Sequence, residues 1–402
     1  MVLTLTGAPV RDGAVLVDGD RVAAVGPARD VVPAGVRVRA HPGVLLPGLV
    51  NAHAHLEYGP SFADLATSGL AFPTWIAELT RRRRGMDDAA WLVEARGSVH
   101  ALLRTGTTCV ADVVTTGPGV RAAALAGLGG ISYLEVVGAE AAAWPVERAR
   151  VEVLLATGGR PLGISPHTLY TLSSEVFRDC GRLARERGLR LHPHLAETTD
   201  EAELVLSGTG ALSFALRGIG LVHDLLDVGS GRTPAEQADH LGGLGPDVHV
   251  AHGVHLSASD PALLRSRDTA VALCTRSNAV LGAGEAPVAA LLAEGSPVAL
   301  GTDSLASAPD LDLLAEARAT RDLAVLQGFP ADGLSERLVR AATVGGAAAM
   351  GLTGAGTLVP GGRADLAVFD VPTDGDPYAA LLDHGPGRCT ATVLAGRLVH
   401  RR

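Results

Sequence analysis

Short apolar runs alternate along most of the chain with longer stretches of helical periodicity. The runs are rich in valine, leucine and isoleucine, and the stretches between them, such as Asp87 to Leu103 and Ser174 to Gly188, are long enough for helices. The predicted strands are Val44 to Val50, Thr107 to Val113, Gly130 to Val137, Leu162 to Ser165, Leu189 to His194, Val248 to His252, Val271 to Thr275 and Val298 to Gly301. Eight such units predict an α/β protein built as a TIM-like (β/α)8 barrel.

The two ends of the chain show a different pattern. They contain short segments such as Ala14 to Val17, Ala367 to Phe369 and Ala391 to Leu394, separated by Asp-Gly and Gly-Gly turns. Such segments favour a compact β-structure rather than βα units. We therefore predict a barrel over residues 44–354 and a small composite β-sandwich formed by residues 1–43 and 355–402.

The composition is that of a soluble globular protein. Of the 402 residues, 47% are apolar and 19% are charged. No apolar stretch reaches the ~20 residues that span a bilayer, and the N-terminus lacks a basic region followed by an apolar core. We expect a cytoplasmic protein with no membrane partner. The cysteines at 109, 180, 274 and 389 form no Cys-x-x-Cys pair, which predicts reduced thiols.

A net charge of −9 disfavours nucleic acid as a partner. Arg81 to Arg84 form a local exception to this acidic balance. They end a predicted helix that begins near Phe72, and positive charges at a helix C-terminus interact favourably with the helix dipole. We interpret the run as a helix end rather than a phosphate-binding patch.

Histidines and carboxylates follow several of the predicted strands. They are His53 and His55 after the first strand, His192, His194 and Glu197 after the fifth, His252 and His255 after the sixth, and Asp303 after the eighth. The carboxyl ends of barrel strands meet at one face, where the chemistry of such proteins belongs. Catalytic zinc takes histidine and carboxylate ligands and leaves one position for water. We predict one divalent metal, with zinc expected and iron or manganese as the other metals that these ligands bind.

The chain contains no lysine. Without a lysine amine there is no carbamylated lysine to bridge two metals, no Schiff base to a carbonyl substrate or pyridoxal cofactor, and no phosphate-loop lysine. His53 and His55 are two residues apart on a strand, so their side chains point to the same face and can share one ion. A single hydrolytic metal is the simplest chemistry that remains.

The chain resembles the amidohydrolase superfamily, and within it the 6-aminopurine nucleoside deaminases that include methylthioadenosine/S-adenosylhomocysteine deaminases. The resemblance spans nearly the whole chain, and the segments that carry it are 47–55 (PGLVNAHAH), 106–112 (GTTCVAD), 165–171 (SPHTLYT), 194–197 (HLAE), 301–307 (GTDSLAS) and 360–366 (PGGRADL). It implies a metal-dependent barrel enzyme that releases ammonia from an adenine-type ring. The metal ligands that it implies are His53, His55, His194 and Asp303.

The same resemblance implies that Glu197 is the proton shuttle and that His252 orients the attacking water. The chemistry of these residue types agrees, because a divalent metal lowers the pKa of bound water from about 16 towards about 7. Asp303 can accept the proton released, and Glu197 can protonate the ring nitrogen beside the attacked carbon. His192 shares a strand face with His194, but the His-x-x-Glu spacing favours His194 as the ligand. His255 is expected to be structural.

Two departures from the methylthioadenosine deaminase pattern bear on the substrate. In those enzymes an acidic residue shortly before a tryptophan holds the ribose hydroxyls, whereas this chain has Pro73 shortly before Trp75. Arg276, after the seventh strand, is the second departure, and arginine pairs well with carboxylates. The segments around Arg276 and Asp303 look most like aminodeoxyfutalosine deaminases of menaquinone biosynthesis, whose substrate carries a benzoate. We predict substrate contacts from Trp75, His167 and Arg276, with a structural ion pair as the alternative for Arg276 and a core aromatic as that for Trp75.

Other functions stay open. A methylthioadenosine, S-adenosylhomocysteine or adenosine deaminase would use the same site, and so would an imidazolonepropionase-like or s-triazine-type hydrolase acting on another heterocycle. A non-catalytic barrel is disfavoured because every expected ligand and proton-transfer residue is present. Zinc deaminases with a Pro-Cys-x-x-Cys signature are excluded because that signature is absent. The expected partner is a small-molecule nucleoside, and a homodimer is the assembly that the superfamily favours.

Overall fold

The structure is a computed structural model that describes residues 1–138, 140–218 and 223–402. Its strands are β1 (Gly13–Asp18), β2 (Arg21–Pro27), β3 (Val44–Pro47), β4 (Leu49–Ala54), β5 (Thr107–Val114), β6 (Gly129–Val136), β7 (Leu162–Pro166), β8 (His194–Leu195), β9 (His249–His252), β10 (Ala270–Leu273), β11 (Val298–Leu300), β12 (Leu366–Phe369), β13 (Cys389–Leu394) and β14 (Arg397–Arg401).

The helices lie between these strands. They are α1 (Ala28–Val31), α2 (Phe72–Arg83), α3 (Asp88–Arg104), α4 (Gly117–Ala126), α5 (Trp144–Leu155), α6 (Ser174–Glu186), α7 (Thr199–Ser207), α8 (Gly210–Gly218), α9 (Pro234–His240), α10 (Asp260–Ser266), α11 (Thr275–Leu281), α12 (Val288–Glu294), α13 (Leu313–Leu326), α14 (Leu334–Arg340), α15 (Gly346–Ala349) and α16 (Pro377–His384), with a 3₁₀ helix at Pro60–Thr67 and a π-helix at Ala341–Gly345. Across the described ranges, no helix combines the length and apolar character that crossing a bilayer requires.

Eight parallel strands form the centre of the fold. They make two four-stranded sheets, in the orders β4-β5-β6-β7 and β8-β9-β10-β11. Leu191 joins the sheets at one seam by pairing with both Ile164 of β7 and Val248 beside β9. At the other seam, the Asp303 N–H donates to the His53 carbonyl at 3.0 Å. The predicted α/β class, with a parallel sheet, helices and an additional sheet from both termini, is confirmed.

Local chemistry explains the helices that the sequence predicted. Asp87 begins α3 by accepting a hydrogen bond from the Ala90 N–H, and Ser173 begins α6 by accepting one from the Val176 N–H. Such N-caps satisfy amide donors that the first helical turn leaves free. At the end of α2, Arg81 and Arg82 both pair with Glu78, as expected of a helix end.

Both chain ends build the second part of the fold. Strands β14, β13, β12 and β3 form one antiparallel sheet, and β1 and β2 form a hairpin. The hairpin contacts the C-terminal segment through hydrogen bonds between Val22 and residues 361–362. The division into domains at 43–44 and 354–355 stays a prediction, and β3 lies just inside the predicted barrel while pairing with the terminal sheet.

Two predicted barrel strands were wrong in extent. The run from Val44 to Val50 is two strands in two sheets that meet at Gly48, where the Gly48 N–H donates to the Asp365 carbonyl and the Leu49 N–H to the Gly106 carbonyl. A Cβ at Gly48 would lie 2.1 Å from Thr108 Oγ1. The predicted fifth strand, Leu189 to His194, forms only single bridges at Leu191 before the short strand β8. Pro193 has no N–H to donate to a sheet ladder, which limits regular pairing there.

Candidate metal centre

The predicted metal ligands lie together at the carboxyl ends of the parallel strands. His53 lies near the end of β4 and His55 directly follows it, His194 begins β8, and Asp303 follows β11. The Nε2 atoms of His55 and His194 are 3.1 Å apart, and Asp303 Oδ1 lies 3.8 Å from Nε2 of both His53 and His55. The ligand atoms of the three histidines lie within 4.8 Å of one another, as do those of His53, His252 and Asp303.

The chemistry of these donors fits a divalent metal. His53 Nε2 is buried and has no hydrogen-bond partner in the described part of the chain, which is costly for a polar atom unless something binds it. Burial lowers the pKa of His53 and His194 well below the usual range and that of His55 to about 4. The imidazoles are therefore neutral at neutral pH, the form that binds metals.

A second layer of hydrogen bonds fixes the ligand orientations. His53 Nδ1 is 2.8 Å from His192 Nε2, and His192 Nδ1 is 2.9 Å from the His249 carbonyl. The Ser277 hydroxyl donates to Asp303 Oδ2 at 2.7 Å and leaves Oδ1 facing the histidines. His192 thus lies behind His53, away from the ligand cluster. Outer-layer contacts of this kind set the tautomer and direction of metal ligands.

Glu197 and His252 lie beside the ligand cluster. Both are buried, and Glu197 Oε1 is 3.6 Å from His252 Nε2, while His252 Nδ1 is 3.0 Å from Asn278 Oδ1. Burial raises the pKa of Glu197, with the neighbouring His252 opposing the shift. A carboxyl group with a raised pKa is suited to donating and taking back a proton near neutral pH.

The backbone turns sharply where these side chains project. Ala196, His252 and Asp303 adopt left-handed conformations with φ of 53°, 72° and 60°, which cost energy for residues other than glycine. Glu201 holds one of these turns, because its carboxylate accepts the N–H groups of Ala196 at 3.0 Å and Glu197 at 2.8 Å. The site geometry is therefore built into the backbone as well as the side chains.

Comparison with known proteins identifies the family. The model of the amidohydrolase family matches residues 44–399. The chain belongs to the amidohydrolase family. The predicted class of enzyme, a metal-dependent aminohydrolase, is confirmed at that level.

Named relatives of this amidohydrolase have related activities. It is 32% identical over 397 residues to a 5-methylthioadenosine/S-adenosylhomocysteine deaminase of Pelotomaculum thermopropionicum, covering 92% of this chain and 83% of that protein. It is 33% identical over 371 residues to an aminodeoxyfutalosine deaminase of Deinococcus radiodurans, covering 87% and 84%. An adenosine deaminase structure from Xanthomonas campestris with bound zinc shares the fold, with a TM-score of 0.81, 23% identity and coverage of 100% and 91%.

The three predicted substrate contacts lie in different surroundings in this amidohydrolase. His167 is beside the centre, with its ring 4.9 Å from the His194 ring. Trp75 is buried and donates through Nε1 to the Ala306 carbonyl at 2.9 Å. Arg276 forms a two-point ion pair with Asp310, at 2.7 and 3.0 Å. The three contacts with substrate stay predictions, and a structural role accounts for the observed partners of Trp75 and Arg276.

Several residues that build the site were missed in the sequence. Ser277 and Asn278 follow Arg276 directly, and they, rather than the arginine, contact Asp303 and His252. Glu201 completes a Thr-x-x-Glu pattern with Thr198, a signal for a helix start. Thr198 does accept the Glu201 N–H at 3.2 Å. The pattern could have located the helix, but not the hydrogen bonds that Glu201 accepts from the N–H groups of Ala196 and Glu197.

Asp112 supports the segment that follows the predicted metal ligands His53 and His55, and the raised pKa of its carboxyl group predicts a pH effect on stability. It accepts the Leu56 N–H at 3.1 Å, and burial raises its pKa to about 7. Between about pH 4 and pH 7 the folded protein therefore holds a proton that the unfolded chain has released, so stability is lost as pH rises through that window. Asp112→Asn removes this titration and keeps a side-chain oxygen that can accept the Leu56 N–H.

We expect the free energy of unfolding of Asp112→Asn, relative to the wild type, to rise by about 2–3 kcal/mol between pH 5 and pH 8. Urea denaturation of the zinc-loaded proteins at both pH values measures the difference. A difference that does not change with pH would show that Asp112 is ionised in the folded protein across this range.

Proposed function

We propose that this amidohydrolase is a hydrolytic deaminase that converts a 6-aminopurine nucleoside to its 6-oxo form and releases ammonia. Its proposed substrate is aminodeoxyfutalosine, converted to futalosine in menaquinone biosynthesis in the cytoplasm. The observation that carries the proposal is the buried Glu197–His252 pair, 3.6 Å apart, beside the cluster of His53, His55, His194 and Asp303. This arrangement supports the proposal of a proton donor next to a site for a hydrolytic metal.

The residues divide the reaction between them. His53, His55, His194 and Asp303 would hold the metal, which we propose to be zinc, and when bound it would supply an acidified water. Asp303 accepts a proton from the attacking water, and His252 orients this water towards carbon 6 of the purine. Glu197 protonates the adjacent ring nitrogen as the carbon–oxygen bond forms. Glu197 then carries the proton of the new hydroxyl group to the 6-amino group, the carbon–nitrogen bond breaks and ammonia leaves. Asp303 gives up its proton and Glu197 regains one by exchange with solvent.

The choice of aminodeoxyfutalosine has its own support. The Deinococcus radiodurans relative bears that name, and Pro73 departs from the methylthioadenosine deaminase pattern, which has an acidic residue at this position. A methylthioadenosine or S-adenosylhomocysteine deaminase is the second candidate, because the Pelotomaculum thermopropionicum relative has that name at a similar identity. The two candidates share every proposed step at the purine and differ only in the group attached to the sugar.

Turnover separates the candidates. Zinc-loaded protein should be assayed with aminodeoxyfutalosine, adenosine, methylthioadenosine, S-adenosylhomocysteine and adenine, following the ultraviolet change at the purine together with ammonia release. We expect kcat/KM for aminodeoxyfutalosine to exceed the others at least about tenfold, the selectivity of roughly one well-placed polar contact. A preference for another adenine compound would make that compound the proposed substrate. Absence of turnover with all five compounds would overturn the deaminase proposal.

The same assay tests Arg276 with Arg276→Ala and, as its matched control, Asp310→Asn. If Arg276 leaves Asp310 to bind the benzoate, Arg276→Ala should raise KM for aminodeoxyfutalosine by about tenfold or more and leave adenosine nearly unaffected. Asp310→Asn should not raise that KM, because it frees the guanidinium. Equal losses with both substrates in both variants would show that the ion pair is only structural.

A further inference from the structure

Glu135, near the end of β6, is a buried carboxylate without hydrogen bonds. Its side chain is 4% exposed, Oε1 has no partner, and its carboxylate accepts no hydrogen bond from any residue in the described ranges. Other buried glutamates nearby differ. Glu57 accepts hydrogen bonds from both Thr115 and Thr116, and Glu201 accepts two backbone N–H groups. Buried carboxylates normally have such partners, so the bare carboxylate of Glu135 points to a missing ligand.

The position of Glu135 places it beside the metal centre. It is two residues beyond Tyr133, so both side chains lie on the same face of β6, and the Tyr133 ring contacts the inward-facing ring of His192. Strand β7 pairs with β6 and leads directly to His167, whose Nε2 is 3.9 Å from Glu135 Oε1. Ligand atoms of Glu135, His167 and His194 all lie within 4.8 Å of one another.

Arg83 supplies positive charge on the same side of the site but does not neutralise Glu135 by contact. Its Nη2 donates to Thr115 Oγ1 at 3.2 Å, and its guanidinium lies over the Tyr58 ring, 5.6 Å from the centroid. No carboxylate of the described residues lies within ion-pair distance of Arg83. Burial raises the pKa of Glu135 to about 7, and Arg83 opposes that shift. The field of Arg83 also makes this corner unfavourable for a further cation.

A hydroxyl group fits between Glu135 and His167. Thr171 Oγ1 is 2.9 Å from His167 Nδ1, and when this hydroxyl donates, the ring carries its proton on Nε2. His167 Nε2 is then a hydrogen-bond donor that lies 3.9 Å from the acceptor Glu135 Oε1. A hydroxyl oxygen about 2.8 Å from both atoms would subtend an angle of roughly 90° there, close to ordinary hydrogen-bond geometry. Such a hydroxyl accepts from His167 and donates to Glu135.

We propose that Glu135, together with His167, binds the sugar hydroxyls of the nucleoside substrate and is a specificity-determining residue of this enzyme. The inference rests on the proposed deaminase function and adds to it a contact on the sugar. A carboxylate can accept from two neighbouring hydroxyls at once, so a sugar that carries both of them is favoured over a deoxygenated one.

The test compares Glu135→Gln with the wild type on two substrates. These are the ribonucleoside with the highest turnover in the panel above and its 2′,3′-dideoxy analogue, both assayed at pH 8 with zinc-loaded protein. We expect Glu135→Gln to lower kcat/KM for the ribonucleoside by about 10- to 100-fold, which is the effect of losing a charged hydrogen bond to a hydroxyl group. For the analogue, we expect kcat/KM to change by less than about threefold. Glu135→Asp, which keeps the carboxylate, should restore part of the selectivity.

Glu57→Gln is the matched control, since it alters a nearby buried carboxylate that already has its partners. It should affect the two substrates equally. Equal losses of kcat/KM for both substrates in Glu135→Gln would overturn the sugar contact and leave the deaminase proposal intact. A wild type that turns over no purine nucleoside would overturn the deaminase proposal itself. Zinc content gives a separate readout. Two zinc ions per wild-type chain, falling to one in Glu135→Gln, would show that Glu135 is a metal ligand instead.

Discussion

Glu197→Gln is expected to lower kcat for purine nucleoside deamination by about a thousandfold or more while zinc binding stays at the wild-type level. Glutamine keeps the size of the side chain but cannot deliver a proton to the purine ring or to the leaving amino group, and general acid–base catalysis contributes about 10²–10⁴ in rate. Glu197 is buried, 3.6 Å from His252, and is outside the clusters of candidate metal ligands found among the described residues. The metal site should therefore survive the substitution.

Single-turnover and steady-state rates, with zinc measured per chain in the same samples, test this expectation. A structural role for Glu197, such as stabilising the start of α7, would appear as a lower melting temperature with kcat within about tenfold of the wild type. That outcome would remove Glu197 from proton transfer. Loss of zinc together with activity would instead move Glu197 into the metal site.

His55→Ala is expected to reduce zinc to below about a tenth of an ion per chain and kcat/KM by more than about ten-thousandfold. His55 Nε2 lies 3.1 Å from His194 Nε2 and 3.8 Å from Asp303 Oδ1, so its loss opens the middle of the cluster. Without a metal the attacking water keeps a pKa near 16 rather than about 7. The activity should follow the metal.

His255→Ala is the matched control, because His255 is a half-buried histidine whose Nε2–H donates to the Ala283 carbonyl at 2.6 Å. It should keep its zinc. Chelation followed by zinc addition should restore the wild type and His255→Ala but not His55→Ala. Full activity of zinc-free protein would contradict the metal-dependent reaction.

The parts of the fold that the sequence predicted best have strong local signals. Strand β5 is buried along its whole length and is apolar apart from Thr107, Thr108 and Asp112, and α3 begins after the capping residue Asp87. The metal-ligand candidates could be located because each follows an apolar run, and the carboxyl ends of parallel strands must converge.

The rest depended on contacts between distant segments. No local pattern marks Gly48 as the point where one apolar run passes from the terminal sheet to the central one, because its constraint comes from Thr108. Glu135 stands in an ordinary strand pattern, and only the pairing of β6 with β7 brings it to His167. Arg276 was noticed for its charge, but its partner Asp310 lies on a loop beyond the eighth strand.

Gly48 has a consequence for how the protein unfolds. Strand β3 pairs with β12 in the terminal sheet, and the next residue after Gly48 begins β4, the strand that carries His53. Separation of the terminal sheet would therefore displace the strand that carries the predicted metal ligand His53. A bound metal would oppose this separation, because it stabilises only the folded state. We therefore expect the sheet made from the two chain ends to unfold together with the candidate metal centre, so that substitutions in the terminal sheet weaken metal retention without contacting the site.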